Sequence, residues 1–182
     1  MVDGAMRLGW ALGLILTLGC SSAGPYGYSR TYSPADGEED ATEGAREYDP
    51  VMVDRFPAEW KASKVTLFGV VQERQPGPAG KTRVTLSMRT LSERNLCDTA
   101  DEATCRVTVS DREHATVHAL VQLERDDDLG KLRVSSDSLL RIVGRIADRR
   151  HQDGTPVILV DYYRHWPPGQ WVTTSAASHM RR

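Results

Sequence analysis

The sequence predicts a mainly β protein: a small five- or six-stranded barrel placed after a short apolar leader and a disordered acidic tether. Three observations carry that expectation. Between Val65 and Tyr163 apolar residues recur at every second position, the period of a strand with one buried face. The intervening stretches are short and rich in Gly, Pro and Asp, which supply turn geometry. Only the charged segment from Glu124 to Gly130 offers a helical turn. Five or six such strands are few for a sandwich and suit a closed barrel, where closure removes the edges that invite aggregation.

The elements follow in chain order. Val65, Leu67 and Val71 alternate with Thr66, Phe68 and Val70 around Gly69, a strand buried on both sides, and Gln72 to Lys81 turns the chain. Arg83 to Arg89 is the clearest strand: Val84, Leu86 and Met88 point inward, while Arg83, Thr85, Ser87 and Arg89 form a polar face open to water or to a ligand. Arg106 to Ser110 places Val107 and Val109 on one face, and Asp111 to His114 turns the chain. Thr116 to Leu123 repeats the alternation with Val117, Ala119, Val121 and Leu123. Leu139 to Ile146 and Pro156 to Tyr163 form a final hairpin around Asp153-Gly154. This order of two strands, a loop, a third strand, a helical spacer and a hairpin resembles the oligonucleotide/oligosaccharide-binding fold, the OB-fold, over residues 65–172. Within it, LLRIVGRI, the Asp-Gly turn and PVILVDYYRHW are similar to the last strand pair of OB-like barrels in bacterial envelope lipoproteins, including the starvation-inducible Slp-type family. The matching features are Gly144-Arg145, Gly154 and Tyr162-Tyr163 with Trp166. The resemblance implies a fold and no particular activity, because OB barrels host many functions.

The leader has its own logic. Leu8 to Leu18 is 11 residues without a charge, while a membrane span needs roughly 20. Arg7 precedes it; Asp3 weakens a leader that starts at Met1, and a start at Met6 gives Met-Arg directly before the apolar run. Thr17-Leu18-Gly19-Cys20-Ser21-Ser22 resembles the bacterial lipobox, with a small residue before the cysteine. The resemblance implies cleavage before Cys20, palmitate-type lipid on Cys20 and, from Ser21, sorting to the outer membrane of a Gram-negative cell. The expected organisation is a signal peptide over 1–19, a lipidated Cys20 and flexible acidic tether over 20–60, a barrel over 61–174 and a disordered tail over 175–182. Tyr26, Tyr28, Tyr32 and Tyr48 read as incidental to the tether. With Cys20 modified, Cys97 and Cys105 remain as an even pair suited to a disulfide in an oxidising compartment. Closing that loop would contribute about 2–3 kcal/mol; two free thiols or a metal pair is the alternative.

Charge narrows the function. The net charge is −2, yet residues 61–182 hold 19 Lys and Arg against 15 Asp and Glu, so the barrel is mildly basic and the tether acidic. That is far from the strongly basic footprint of a nucleic-acid binder, so nucleic acid is not expected as a partner. No G-x-S-x-G elbow and no phosphate-binding glycine loop occur, so neither an enzyme nor a cofactor is expected. His114 and His118 share a strand face about 13 Å apart, too far for one ion, and Asp126-Asp127-Asp128 reads as a solvated charge run, so no metal is expected. Tyr163, Arg164, His165 and Trp166, followed by two prolines, form the densest recognition cluster, with Arg83 and Arg89 as a second surface; aromatic plugging of the barrel end competes for Tyr162 and Trp166. The expected function is a non-enzymatic outer-membrane lipoprotein that docks onto envelope proteins of a motility or secretion apparatus. The alternative is an OB-type binding module for glycan or single-stranded nucleic acid.

Overall fold

In the computed structural model the chain is described over residues 29–32, 34–92, 94–96 and 107–179. Cys20, Cys97 and Cys105 lie outside the described residues, and with them the expectations of lipid attachment and a disulfide. The elements in order are β1 (Ser29–Thr31), α1 (Glu38–Thr42), β2 (Arg46–Glu47), α2 (Pro50–Arg55), α3 (Pro57–Lys61), β3 (Lys64–Pro76), β4 (Thr82–Arg89), β5 (Arg94–Leu96), β6 (Val107–Val109), β7 (Thr116–Val121), α4 (Arg125–Leu129), β8 (Leu139–Ile146), β9 (Val157–Trp166), β10 (Trp171–Thr173) and α5 (Thr174–His179).

Five of these strands close into a barrel in the order β3-β4-β7-β9-β8, and β8 returns to β3. All pairings are antiparallel except β7 with β9, which run parallel. With α4 set between the third and fourth barrel strands, this is the OB arrangement. β3 extends to Pro76, past the glutamine and glutamate assigned to a turn, because its second half pairs with β4 while its first half pairs with β8. A register shift between Val71 and Glu73 bends the strand between its two partners.

The alternation places its apolar residues inside. Val71, Val84, Leu86, Val117, Ala119, Leu140, Ile142 and Ile158 are each at most 1% exposed, and each full burial of a large aliphatic side chain contributes about 1.5–3 kcal/mol. The opposite face of β3 is also covered. Phe68 and Val70 pack outside the barrel with Leu139 and Trp166 against Val107 and Val109 of β6, with Leu91, Trp171 and Tyr32 at the margin. β6 pairs with β10 in parallel and lies outside the barrel, so its alternation serves this second core.

Two segments differ from expectation. The stretch assigned to a tether carries α1, α2 and α3, and Tyr48, Val53 and Trp60 join the main core. Asp49 caps α2 by accepting from the Val51 and Met52 N–H groups, with Pro50 opening the helix; these helices are too short to show a periodic pattern. The tail assigned to disorder carries α5, whose first turn is held by the Asp111 carboxylate through Thr174 Oγ1, the Ser175 N–H and Ser175 Oγ.

Gly144 sits at the register shift between β8 and β9. A Cβ there would lie 2.1 Å from the Leu159 carbonyl oxygen, a backbone atom that cannot swing away. Gly144→Val is expected to lower stability by at least ~2 kcal/mol through overpacking and loss of strand pairing, read as a lower urea midpoint with an unchanged slope.

Candidate functional site

The structure assigns the six sequence-predicted contact residues to different tasks. Tyr163 and His165 point toward the barrel end under α4. The Tyr163 hydroxyl donates to Asp127 Oδ2 at 2.7 Å and accepts the Glu124 N–H at 2.9 Å, while His165 meets Asp127 Oδ1 at 2.6 Å and Ser138 Oγ at 3.1 Å. Burial, with Asp127 adding to it, raises the pKa of the Tyr163 hydroxyl. Asp127 is therefore the polar plug of the barrel end, and Asp128 pairs with Arg74, so two members of the supposed solvated run are structural. Trp166 is 7% exposed within the second core.

Arg164 and Arg141 stand side by side on the outer face of β9 and β8, and both meet Glu38, which is wholly buried. Arg141 Nη1 lies 2.5 Å and Arg164 Nη1 2.8 Å from its two oxygens, and the Ala35 N–H and the Tyr32 hydroxyl also donate to it. Tyr32 packs edge-on against Phe68, so this residue of the supposed tether is part of the structure. Arg89 donates to the Ser110 and Asp111 carbonyls and pins the loop before β7. Of the six, Arg83 and Trp166 have no side-chain hydrogen bond or ion pair among the described residues; Trp166 is packed in the second core, while Arg83 remains on the outer face of β4 opposite Gln75 and Leu120.

That face is the open side of the barrel. The outer sides of β3, β8 and β9 carry the second core and the Glu38 cluster, and α4 closes one end. What remains is the polar side of β4 and β7, with Arg83, Thr85, Thr116 and Leu120 and with Glu113 bonded over Ser87 and Thr116, the end of β3 with Glu73 and Gln75, and the adjoining Leu159 and Asp161 of β9 beside Arg145 of β8. It is bounded by the β3–β4 turn, where Gly77 leaves room for the Leu120 methyl, and by the loop 147–156, where Pro156 O accepts the His118 N–H. Lys81 on the turn and Arg149 on the loop make no ion pair among the described residues, so with Arg83 they are cations available beside a face that also carries Glu73 and Glu113.

His118 occupies the middle of this side and is 5% exposed. Its partner is not His114, which stands near Thr90, but the hairpin turn: Asp153 Oδ2 lies 2.9 Å from His118 Nε2, and the His151 ring stacks on it at 3.7 Å. Hydrogen bonds, first from Thr155 and then from His118, hold the Asp153 carboxyl below the usual range. The sequence signal for this cluster was His-Gln-Asp-Gly-Thr at the turn, readable as turn chemistry alone until the strand register placed it over His118.

No family model matches this chain, and no curated protein matches it. Among solved structures it is similar to the protein priB from Ralstonia solanacearum in two determinations. These have 16% and 17% identity, cover 57% and 56% of this chain and 97% and 95% of the other, and both have a TM-score of 0.30. It is also similar to a protein from Klebsiella pneumoniae subsp. pneumoniae provisionally described as a nucleic acid-binding lipoprotein. That likeness has 19% identity, covers 74% of this chain and 99% of the other, and has a TM-score of 0.37. The description of that protein runs against the expectation that nucleic acid is no partner; that expectation rested on the barrel's count of 19 Lys and Arg against 15 Asp and Glu, which says nothing of how charge is spread over the surface.

The Glu38 cluster makes a pH dependence measurable. Burial alone would raise the Glu38 pKa, but hydrogen bonds from Tyr32, Ala35, Arg141 and Arg164 outweigh it and hold the group below its ordinary value. A depressed folded-state pKa gives stability that is present above the unfolded value near ~4.3 and is lost as pH falls through the folded value. The melting temperature of the wild type is expected to drop as pH falls below about 5. Glu38→Gln should flatten that drop and cost about 3 kcal/mol at neutral pH, because it leaves two largely buried arginines without a counter-charge.

Proposed function

We propose that this chain is a non-enzymatic binding module, held at the outer membrane by a lipid on Cys20, whose β4–β7 face takes single-stranded nucleic acid. The observation that carries the reading is the outer side of β4 and β7, bounded by the β3–β4 turn and the β8–β9 loop, where Arg83, Thr85, Thr116 and Leu120 stay partly exposed. OB barrels bind oligonucleotides and oligosaccharides on that side, between those loops. Lys81, Arg83 and Arg149 suit phosphates, and Leu120 with Thr85 offers a surface against which bases or sugars can lie. The face has no Phe, Tyr or Trp among its described residues, so binding would rest on phosphate contacts more than on stacking, with little sequence preference and strong salt dependence.

A docking role in a motility or secretion assembly ranks below this reading. Its anchors, Tyr163, Arg164, His165 and Trp166, are engaged inside the protein's own packing.

The test is fluorescence anisotropy of a labelled oligothymidylate of about 16 nucleotides against the mature protein over a salt series. Three phosphate contacts give a slope of log K on log salt of about −2 for a single strand, and Arg83→Ala should reduce its magnitude by ~0.7 without moving the melting temperature. No binding at low salt, or salt-insensitive binding of peptidoglycan fragments instead, overturns the nucleic-acid reading. The anchor is checked separately by mass spectrometry of the N-terminal peptide and membrane fractionation, wild type against Cys20→Ala. An unmodified N-terminus in the soluble fraction of wild-type cells removes it.

A further inference from the structure

We infer that His118, His151 and Asp153 form a binding site for one divalent transition-metal ion of the zinc class, a site that does not depend on the face binding a polymer. The three side chains offer one ligand atom each, all within 4.8 Å of one another. Asp153 Oδ2 is 2.9 Å from His118 Nε2, and Asp153 Oδ1 is 3.2 Å from His151 Nδ1. Around a tetrahedral zinc with bonds near 2.1 Å, neighbouring ligand atoms stand about 3.4 Å apart; the carboxylate already presents one oxygen to each imidazole at close to that distance, and gathering one atom from each residue on a single ion requires the His151 ring to turn out of its stack on His118.

The backbone holds these groups without reliance on long side chains. His118 is fixed in β7 opposite Thr85 and Val157. The two turn ligands sit on a tight hairpin closed by the His151 N–H to the Thr155 carbonyl at 2.9 Å and by the Gly154 N–H to the His151 carbonyl at 2.9 Å. Gly154 takes a φ of 84°, open to glycine and strained for other residues. Arg150 ties the same turn down, donating to the Gly154 carbonyl and pairing with Asp54 of α2.

Two features separate the cluster from an ordinary histidine–aspartate pair. His151 Nδ1 is buried and has no hydrogen-bond partner, since the carboxylate beside it lies off the hydrogen-bond direction. A buried polar nitrogen left without a partner is costly, whereas a metal ion would use its lone pair. On the far side of the other ring, Thr85 Oγ1 stands 3.3 Å from His118 Nδ1, the outer contact that orients a ligating imidazole and selects its tautomer. The Asp153 side chain is 49% exposed, which leaves water access for a fourth ligand. Two imidazoles, one carboxylate and an open position suit zinc, copper or nickel in preference to calcium or magnesium.

The test uses the mature protein, freed of metal by chelation and titrated first with Co2+ and then with Zn2+. One equivalent of Co2+ should give the visible absorption band of a four-coordinate site, and Zn2+ should displace it. His151→Ala and Asp153→Asn, both on the partly exposed turn, should each remove the band and weaken Zn2+ binding by more than the ~100-fold upper range of outer-contact losses, and Thr85→Val should weaken it by ~10-fold. A wild type that yields no band, or equal Zn2+ affinity in wild type and both turn variants, overturns the site. Melting curves show that each variant is folded, and since the variants act on separate residues, misfolding of one leaves the other as the deciding measurement.

Discussion

Barrel closure through β3 is the constraint on which the rest of the molecule depends. One strand must satisfy two partners, and it does so by dividing its length: the early residues pair with β8, the late ones with β4, and Phe68 to Val70 pair with both. A straight strand could not follow two neighbours that diverge around a cylinder. The register shift after Val71 supplies the bend, and Gly69 permits a close approach of β4, where a Cβ would stand 2.8 Å from the Leu86 Cβ. Leu86 fills that space from the facing strand and is wholly buried. On the opposite wall Gly144 does the same service for β8 against β9, where backbone meets backbone. The barrel is thus closed by a bend and two glycines, and its interior is filled by the aliphatic residues that the period-two pattern supplies.

Closure also settles where anything else can happen. With the interior filled, only outer faces remain, and the chain covers most of them with its own segments. The residues before β3 bring Glu38 under Arg141 and Arg164, a pairing of one buried acid with two cations that also receives the Tyr32 hydroxyl. Such a cluster gives little net stability compared with an apolar packing, but it specifies position strongly, because each group is costly to bury alone. The loop between β4 and β7 contributes β6, which pairs with β10 and covers Phe68 and Val70. Arg89 and Asp111 hold that loop and α5 in place from both sides.

These two kinds of contact differ in how far the sequence reveals them. β4, β7, β8 and β9 were legible because each has one inward face, and a strand of that kind writes its burial in alternate residues. Even the double burial of Phe68 and Val70 with Val65 and Leu67 was legible as a continuous apolar run. The assignments that changed involve polar residues, whose partners lie far along the chain. Glu38 looks like tether charge until it meets Arg141 and Arg164, more than a hundred residues later. Asp127 looks solvated until Tyr163 and His165 arrive under it. A hydrophobic residue announces its burial by type, while a carboxylate announces nothing until the register of the distant strand is known. Hence the barrel was readable, while the cluster of recognition-type residues at the end of β9 was misassigned: Tyr, Arg, His and Trp are as suited to internal networks as to partners.

The same register argument explains why the open face and the histidine cluster adjoin. Residues two apart on a strand share a face, so Thr116, His118 and Leu120 of β7 all look outward beside Ser87, Thr85 and Arg83 of β4. The β8–β9 hairpin turn folds over only the middle of that row, because β9 begins its parallel pairing at His118 with Val157. His118 is therefore covered, and Leu120 with Arg83 lies beyond the edge of the turn, about 7 Å further along the strand. A turn that must cross β7 at this point places its own side chains over whatever β7 presents there. Here β7 presents an imidazole and the turn brings another imidazole and a carboxylate, a set of three donors that a hairpin with no role beyond connecting two strands does not require.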